Sequence, residues 1–209
     1  MSMENHIGRR GVLMGGAGLA LAAGLSIGLG GCAGRGPPTR QFAEITFRQF
    51  PPLRFRAGRV DIATEYAAPR TTPNVDHQFP VTLASMAERW GFDRLSASGG
   101  ELTARYVIVE ASVIETSLPR TQGLRATFKI EQSERYDGRL ITRLDLVTPR
   151  GAVEGTVTAQ VDRVETIGEN ASIAERETLW FTMTEAMGRD LNAQMERQIR
   201  THLLRYLMT

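Results

Sequence analysis

Apolar positions along the second half of this chain recur with two periods, first two residues and then three to four, and the switch between them predicts a sheet followed by a long helix. Upstream, Ile45–Phe47 and Val60–Tyr66 alternate briefly and read as strands, with Pro51 and Pro52 between them. A loop follows from Ala67 to Phe79, carrying Pro69, Pro73 and Asn74. Leu83, Met86, Ala87 and Trp90 then recur at helical spacing, and Gly91 is a natural C-terminal stop. Leu102–Leu118 is strand-rich, with Val107, Val109, Ala111 and Val113 on one face and Glu110 and Ser112 on the other. Gly99 and Gly100 form a turn ahead of it.

The next pair of strands carries Leu124, Ala126, Phe128 and Ile130 on one side and Leu140, Leu144 and Leu146 after the turn sequence Tyr136-Asp137-Gly138. A two-residue loop would send the two apolar stripes to opposite faces. A three-residue loop, Tyr136 to Gly138, instead pairs Ile130 with Leu144 and Phe128 with Leu146, with Glu131 opposite Arg143 and Lys129 opposite Asp145 outside. A last strand follows, with Val153, Val157, Ala159 and Val161 inside and Thr156, Thr158, Gln160 and Asp162 outside. Ser172 and Glu175 form a capping box. Beyond it, from Ile173 to Leu207, Trp180, Met183, Met187, Leu191, Met195, Ile199 and Leu203 keep helical spacing, which predicts one long or broken helix with Gly188 as the expected kink or break. The Met-rich stripe reads as core. These elements predict an α+β fold: a mostly antiparallel sheet of about five strands, with one short helix and one long C-terminal helix packed on one face.

The N-terminal segment adds a destination. Arg9 and Arg10 precede a glycine-rich apolar run ending in Leu29-Gly30-Gly31-Cys32, which has the basic, apolar and small-residue zones of a secretory signal and the cysteine of a lipoprotein processing site. Cleavage after Gly31 with lipidation of Cys32 is the expectation; an uncleaved membrane anchor is the alternative, although repeated glycine makes a poor membrane helix. Arg9-Arg10-Gly11-Val12-Leu13 resembles the twin-arginine export signal, so that route and ordinary unfolded export both stay open. The organisation is then 1–31 signal peptide, 32–41 tether and 42–209 a single domain. Eight residues, Ala33 to Arg40, reach under roughly 30 Å when extended and hold the domain near the membrane. Ala33 after the lipid site favours the periplasmic face of the outer membrane, with the inner membrane as the alternative.

Charge and composition exclude more than they select. Net charge is +2 with nearly balanced signs, and Lys129 is the one lysine, so nucleic acid is not an expected partner. Cys32 is the one cysteine, which rules out an intrachain disulfide. His77 and His202 have no companion ligands at metal-site spacing, and no nucleophile motif or phosphate loop accompanies them. No cofactor and no metal are expected, and the chain reads as a non-enzyme.

The order of elements, with the lipidation site at Cys32, a helix after the first long strand, a meander and a long helix from Ser172, resembles the auxiliary lipoproteins of envelope lipid-transport ABC systems. It is also similar to small sheet-and-helix lipoproteins that plug lipopolysaccharide translocons or activate peptidoglycan synthases. The stretch Pro73–Phe79, with Arg89-Trp90 and Asp93-Arg94-Leu95, is similar to uncharacterised alphaproteobacterial lipoproteins, which implies location and fold but no activity. The resemblance implies a non-catalytic accessory or assembly factor of an envelope complex. The candidate partner-binding surface is the Asn74–Phe79 loop, with Asp76 and His77 as polar contacts and Phe79 as an apolar anchor; the same residues could serve only as the lead-in to the first helix. Two other readings stand beside it: lipid carriage in a groove lined by Phe128, Leu144, Trp180 and Met183, and a hydrolase using His77.

Overall fold

The computed structural model describes residues 41–119 and 132–208. The chain divides into two units, Met1–Arg40 and Gln41–Thr209. Cleavage at Gly31, the lipidation site Cys32 and the predicted strand through Phe128 lie outside the described residues. Alternating apolar residues build four long strands in the second unit: β1 (Leu53–Thr64), β2 (Leu95–Ser117), β3 (Gln132–Val147) and β4 (Val153–Gly168). They form one sheet in sequential order, with β1 parallel to β2 and the other neighbours antiparallel. The parallel pair needs a crossover, and α1 (Leu83–Arg94) supplies it. After β4, α2 (Ile173–His202) runs back over the same face.

The α+β class and the one-sided helical layer are as the periodicity predicts; among the described residues the strands number four, where about five are expected. Where the expected elements differ, close packing is the reason. Tyr136-Asp137-Gly138 is not a turn but the middle of β3, with Tyr136 facing Glu115 and Glu165, and Gly138 facing Val113 and Arg163. A Cβ on Gly138 would stand 2.5 Å from Met183 Cε, so this glycine admits the methionines of α2 rather than reversing the chain. Arg143 therefore lies opposite Val107 and Thr158, and Asp145 opposite Arg105 and Thr156, in place of the pairs expected with Glu131 and Lys129.

Glycine misleads in three further places for the same reason. Gly91 does not stop α1, which runs on to Arg94; it brings the helix against Tyr106 and Ile62. Gly188 does not break α2 but admits Met86 and Phe47. Gly99 and Gly100, at φ +90° and +120°, lie within β2 beside its register shift against β1. The single apolar stripe expected through Val107, Val109, Ala111 and Val113 is also divided. A bulge between Ile108 and Glu110 shifts the parity, so Ala104, Tyr106 and Ile108 face the helices above it and Ala111 and Val113 below it. Val107 is buried outside that cluster.

Residues 42–51, expected to include a strand at Ile45–Phe47, form a strap over both helices. Phe42 stacks on Phe181 at 5.0 Å, Glu44 pairs with Arg89 at 2.6 Å, and Asp93 accepts from the Thr46 hydroxyl at 2.8 Å and the Phe47 amide at 2.9 Å. The strap ends at Arg94, whose side chain is fully buried. Its guanidinium donates to Asn192 Oδ1 at 2.9 Å, to the Pro51 carbonyl and to Glu196 at 2.7 Å, while lying 5.3 Å from the Phe50 ring centre. Trp90 Nε1 donates to the same Asn192 oxygen at 3.0 Å. Burial pulls this guanidinium below its ordinary pKa, with Glu196 opposing and Arg200 adding to the shift. Under it lies the core of Phe55, Trp90, Tyr106, Leu140, Leu144, Met187 and Leu191. Among the described residues no helix is long and apolar enough to cross a membrane.

Arg94→Leu takes the donor from the Pro51 carbonyl and leaves Glu196 with Arg200 alone, so the urea midpoint is expected to fall by the equivalent of about 2–3 kcal/mol at unchanged m value. Arg94→Lys should recover only part of this, because an ammonium lacks the planar fork. For Asp93, burial alone would raise the carboxyl pKa, but the Phe47 amide, the Thr46 hydroxyl and Arg48 more than offset it, leaving it below its ordinary value. A carboxyl depressed in the folded state contributes stability above its unfolded pKa and loses it as the pH falls through the folded value. Asp93→Asn should thus cost about 1 kcal/mol at neutral pH, the difference from the parent closing in acid titrations followed by circular dichroism.

Candidate functional site: a cleft on the open face of the sheet

Side chains facing away from the helices form rows across the sheet. Asp61, Arg105, Asp145 and Thr156 stand in one row, Ser112, Arg139 and Asp162 in another, and Ile114, Asp137 and Val164 in a third. Much of the charge is paired along single strands, since residues two apart share a face. Arg59 meets Asp61 at 3.0 Å, Arg135 meets Asp137 and Arg143 meets Asp145 at 2.9 Å. Arg143 also reaches Glu65 at 3.5 Å, crossing β2 in the row of the buried Val107. The Asp145 hydrogen bond, aided by the charges of Asp145 and Glu65, holds the Arg143 guanidinium above its ordinary pKa against its partial burial.

The loop after β1 closes one side of this face. The Glu65 and Tyr66 amides donate to the Ile108 carbonyl at 2.9 and 3.3 Å. The chain then leaves and returns beside the lower half of β2, where the Glu115 amide donates to the Pro73 carbonyl at 2.9 Å and the Val75 amide to the Val113 carbonyl at 3.0 Å. Between them Asn74 forms an antiparallel bridge with Ile114. This rung lies on the flank of β2 that β1 occupies higher up, beyond the end of β1.

Beside the rung is a cleft of about 500 Å³, lined by Tyr66, Asn74, Glu110, Ser112, Arg139 and Asp162, with Ile114 and Val164 as its apolar floor and rim. Arg139 is held between Glu110 at 3.2 Å and Asp162 at 3.3 Å. Ser112 donates to the other oxygen of Glu110 at 2.8 Å, and Gln160 to the other oxygen of Asp162 at 2.7 Å. Donors and acceptors are thereby fixed in position with their charges nearly balanced. Such a surface suits recognition of a polar partner more than the concentration of one sign of charge.

The three loop residues expected to bind a partner take different places. Phe79 is not an exposed anchor: it is 4% exposed and stacks on Trp180 at 5.0 Å, inside the core. Asp76 is buried, and burial with the nearby Asp76 and Glu110 charges raises the pKa of Tyr66, whose hydroxyl stays protonated. Neither Tyr66 Oη nor Asp76 Oδ1 completes a hydrogen bond of normal geometry. His77 is half-buried in the short 3-10 turn Asp76–Gln78, and its Nδ1 has no hydrogen-bond partner. Asp76 Oδ1 and His77 Nδ1 therefore do not form the acid/base contact a hydrolase would use. Leu144, Trp180 and Met183, named for a lipid groove, are buried together with the rest of the core, and Tyr136 meets Trp180 edge-on at 5.8 Å.

Sequence reasoning missed Tyr66, Asn74, Glu110, Arg139 and Asp162 as one site. A signal for the charged face was present in the repeated spacing of Arg59 and Asp61, Arg135 and Asp137, and Arg143 and Asp145. Nothing local indicated that the Asn74 rung would come back against Ile114. Phe79→Ala is expected to lower stability by about 3–5 kcal/mol in denaturant titrations, as for a core aromatic. Tyr66→Phe, which deletes an unpartnered hydroxyl, should stay within about 1 kcal/mol of the parent.

No protein-family model matches the chain, and no curated protein matches it. Among solved structures it is similar to a minor lipoprotein of Acinetobacter baumannii, at 8% identity and TM-score 0.40 over 76% of this chain and 99% of that one. It is similar to rare lipoprotein B of Shewanella oneidensis, at 10% identity and TM-score 0.32 over 69% and 98%. A Xanthomonas campestris protein is similar at 9% identity and TM-score 0.32 over 70% and 86%. Identities this low with TM-scores below 0.5 carry no functional inference.

Proposed function

We propose that this chain is a lipid-anchored lipoprotein of the cell envelope that works by binding, as a non-catalytic accessory or assembly factor of a membrane-associated machine, with lipid transport as its setting. The observation that carries the reading is Leu29-Gly30-Gly31-Cys32 after Arg9, Arg10 and an uncharged apolar run. Ala33 favours the periplasmic face of the outer membrane. Diacylation at Cys32 supplies stable attachment, since more than one chain is needed for a lasting hold, and the short tether keeps the domain within reach of membrane-embedded partners. The open face supports a binding role. Arg139, Glu110 and Asp162 constrain one another, so a partner meets a prearranged set of polar groups and little ordering cost falls on association. Of the loop residues, His77 is the half-buried polar side chain left for a partner contact, while Phe79 anchors the loop in the core.

Crosslinking in intact cells, followed by mass spectrometry of what co-purifies with the chain, is expected to enrich subunits of one envelope machine, and to lose them with Cys32→Ala. Arg139→Gln, which removes the charge without placing a third carboxylate beside Glu110 and Asp162, should leave stability within about 1 kcal/mol of the parent and abolish that enrichment. Equal capture by all three proteins would overturn the reading.

A further inference from the structure

Among the described residues the outer edge of β4 is a long strand edge without a partner strand. Glu154 closes its upper end, since its carbonyl accepts from the Tyr206 hydroxyl at 3.1 Å and from Arg205 at 3.4 Å. From Thr156 to Thr166, β4 pairs only with β3 among the described residues, and its other side makes no backbone hydrogen bond. Proteins ordinarily blunt such an edge with charged side chains, proline, a bulge or a covering segment; between Thr156 and Thr166 the charges of β4 are Asp162, Arg163 and Glu165, of both signs and therefore able to pair with a copy of themselves. This strand has sixteen residues, neither proline nor lysine, and register shifts only near the ends of its pairing with β3. Val164 stands 50% exposed on its open face.

The side chains of this edge also specify what pairs with it. Two copies of β4 joined antiparallel about a two-fold axis place residue i opposite the residue equally far beyond the axis. An axis at Thr158 sets Glu154 against Asp162, and axes at Asp162, Arg163 or Glu165 set a charge against itself. Axes at Ala159, Gln160 or Val161 set Arg163 against glycine, valine or alanine. With the axis at Val164, Arg163 faces Glu165 in both directions, Val164 faces Val164, Asp162 faces Thr166, and Val161 faces Ile167. Opposite charges and apolar pairs directly across a ladder are stabilising, whereas like charges are not.

We propose that the chain self-associates through this edge, β4 pairing antiparallel with β4 of a second copy about an axis through Val164, which joins two sheets into one. The cleft of the open face is lined at this edge by Asp162 and Val164. Val164 and Thr166 of the second copy then complete its open side, and the two clefts of the pair meet across the axis. This inference does not depend on the proposed envelope role.

Cysteine crosslinking of the full chain tests it, with the parent, whose one cysteine is Cys32, as the control. Across the axis the two Val164 Cβ atoms come within about 4.5–5.5 Å, close enough for a disulfide after slight adjustment. Val164→Cys with an added oxidant is expected to give a reducible band at twice the chain mass, and Thr158→Cys, which faces no strand residue in this register, is expected to give none. Sedimentation of the detergent-solubilised protein should show a dimer that Arg163→Glu weakens at least tenfold and that Arg163→Glu with Glu165→Arg restores, with melting followed alongside because Arg163 also pairs with Glu165 and Asp190 of its own chain. A monomeric parent, a crosslink at 158 but not at 164, or a Val164→Cys crosslink to a different protein would overturn the proposal.

Discussion

The guanidinium of Arg94 sits where three separate parts of the chain must meet, and the helical layer depends on its being satisfied there. It ends α1 and passes directly into Leu95 of β2, so its position is set by both elements at once. From this point it holds the strap through the Pro51 carbonyl and α2 through Asn192 and Glu196. A buried positive charge is costly without full pairing, and one with several fixed acceptors tolerates few arrangements of the elements that supply them. Apolar packing alone would allow α2 to slide along the sheet by a turn; the shared Asn192 oxygen, taken by both Arg94 and Trp90, does not. The residues Arg89-Trp90 and Asp93-Arg94-Leu95, which carry a resemblance in sequence, are here the joints of the scaffold.

The two faces of the sheet then have separate tasks. One is committed to the core, where glycines at 91, 138 and 188 bring backbone and methionine side chains into close contact. The other carries charge in register. The bulge after Ile108 links them, because the extra residue turns Glu110 and Ser112 to the open side while Ala111 and Val113 return to the core. Without that shift in parity Glu110 could not meet Arg139.

Periodicity made the fold class, the capping box at Ser172 and the apolar stripe of α2 legible, since these depend on residues close in sequence. Gly91, Gly138 and Gly188 were misread because a glycine needed for a neighbour's approach looks the same as one needed for a turn. The distinction lies in residues far along the chain, such as Met183 opposite Gly138 and Phe47 opposite Gly188. The parallel pairing of β1 with β2 was hidden for a similar reason, as it requires the whole crossover to be in place. Of the candidate site, the loop was visible through its prolines and Asn74. Its relation to Arg139 was not, because sequence cannot show that Asn74 pairs with Ile114.

The strap gives the domain a mechanical polarity. Any pull arriving from the N-terminal side enters the fold at Phe42 on Phe181 and runs along the strap toward Pro51. The contacts nearest that entry are a stack, the Glu44–Arg89 ion pair and the Asp93 hydrogen bonds, so these take the load first. These contacts lie on both helices, so tension on the strap is borne by the helical layer before it reaches the sheet.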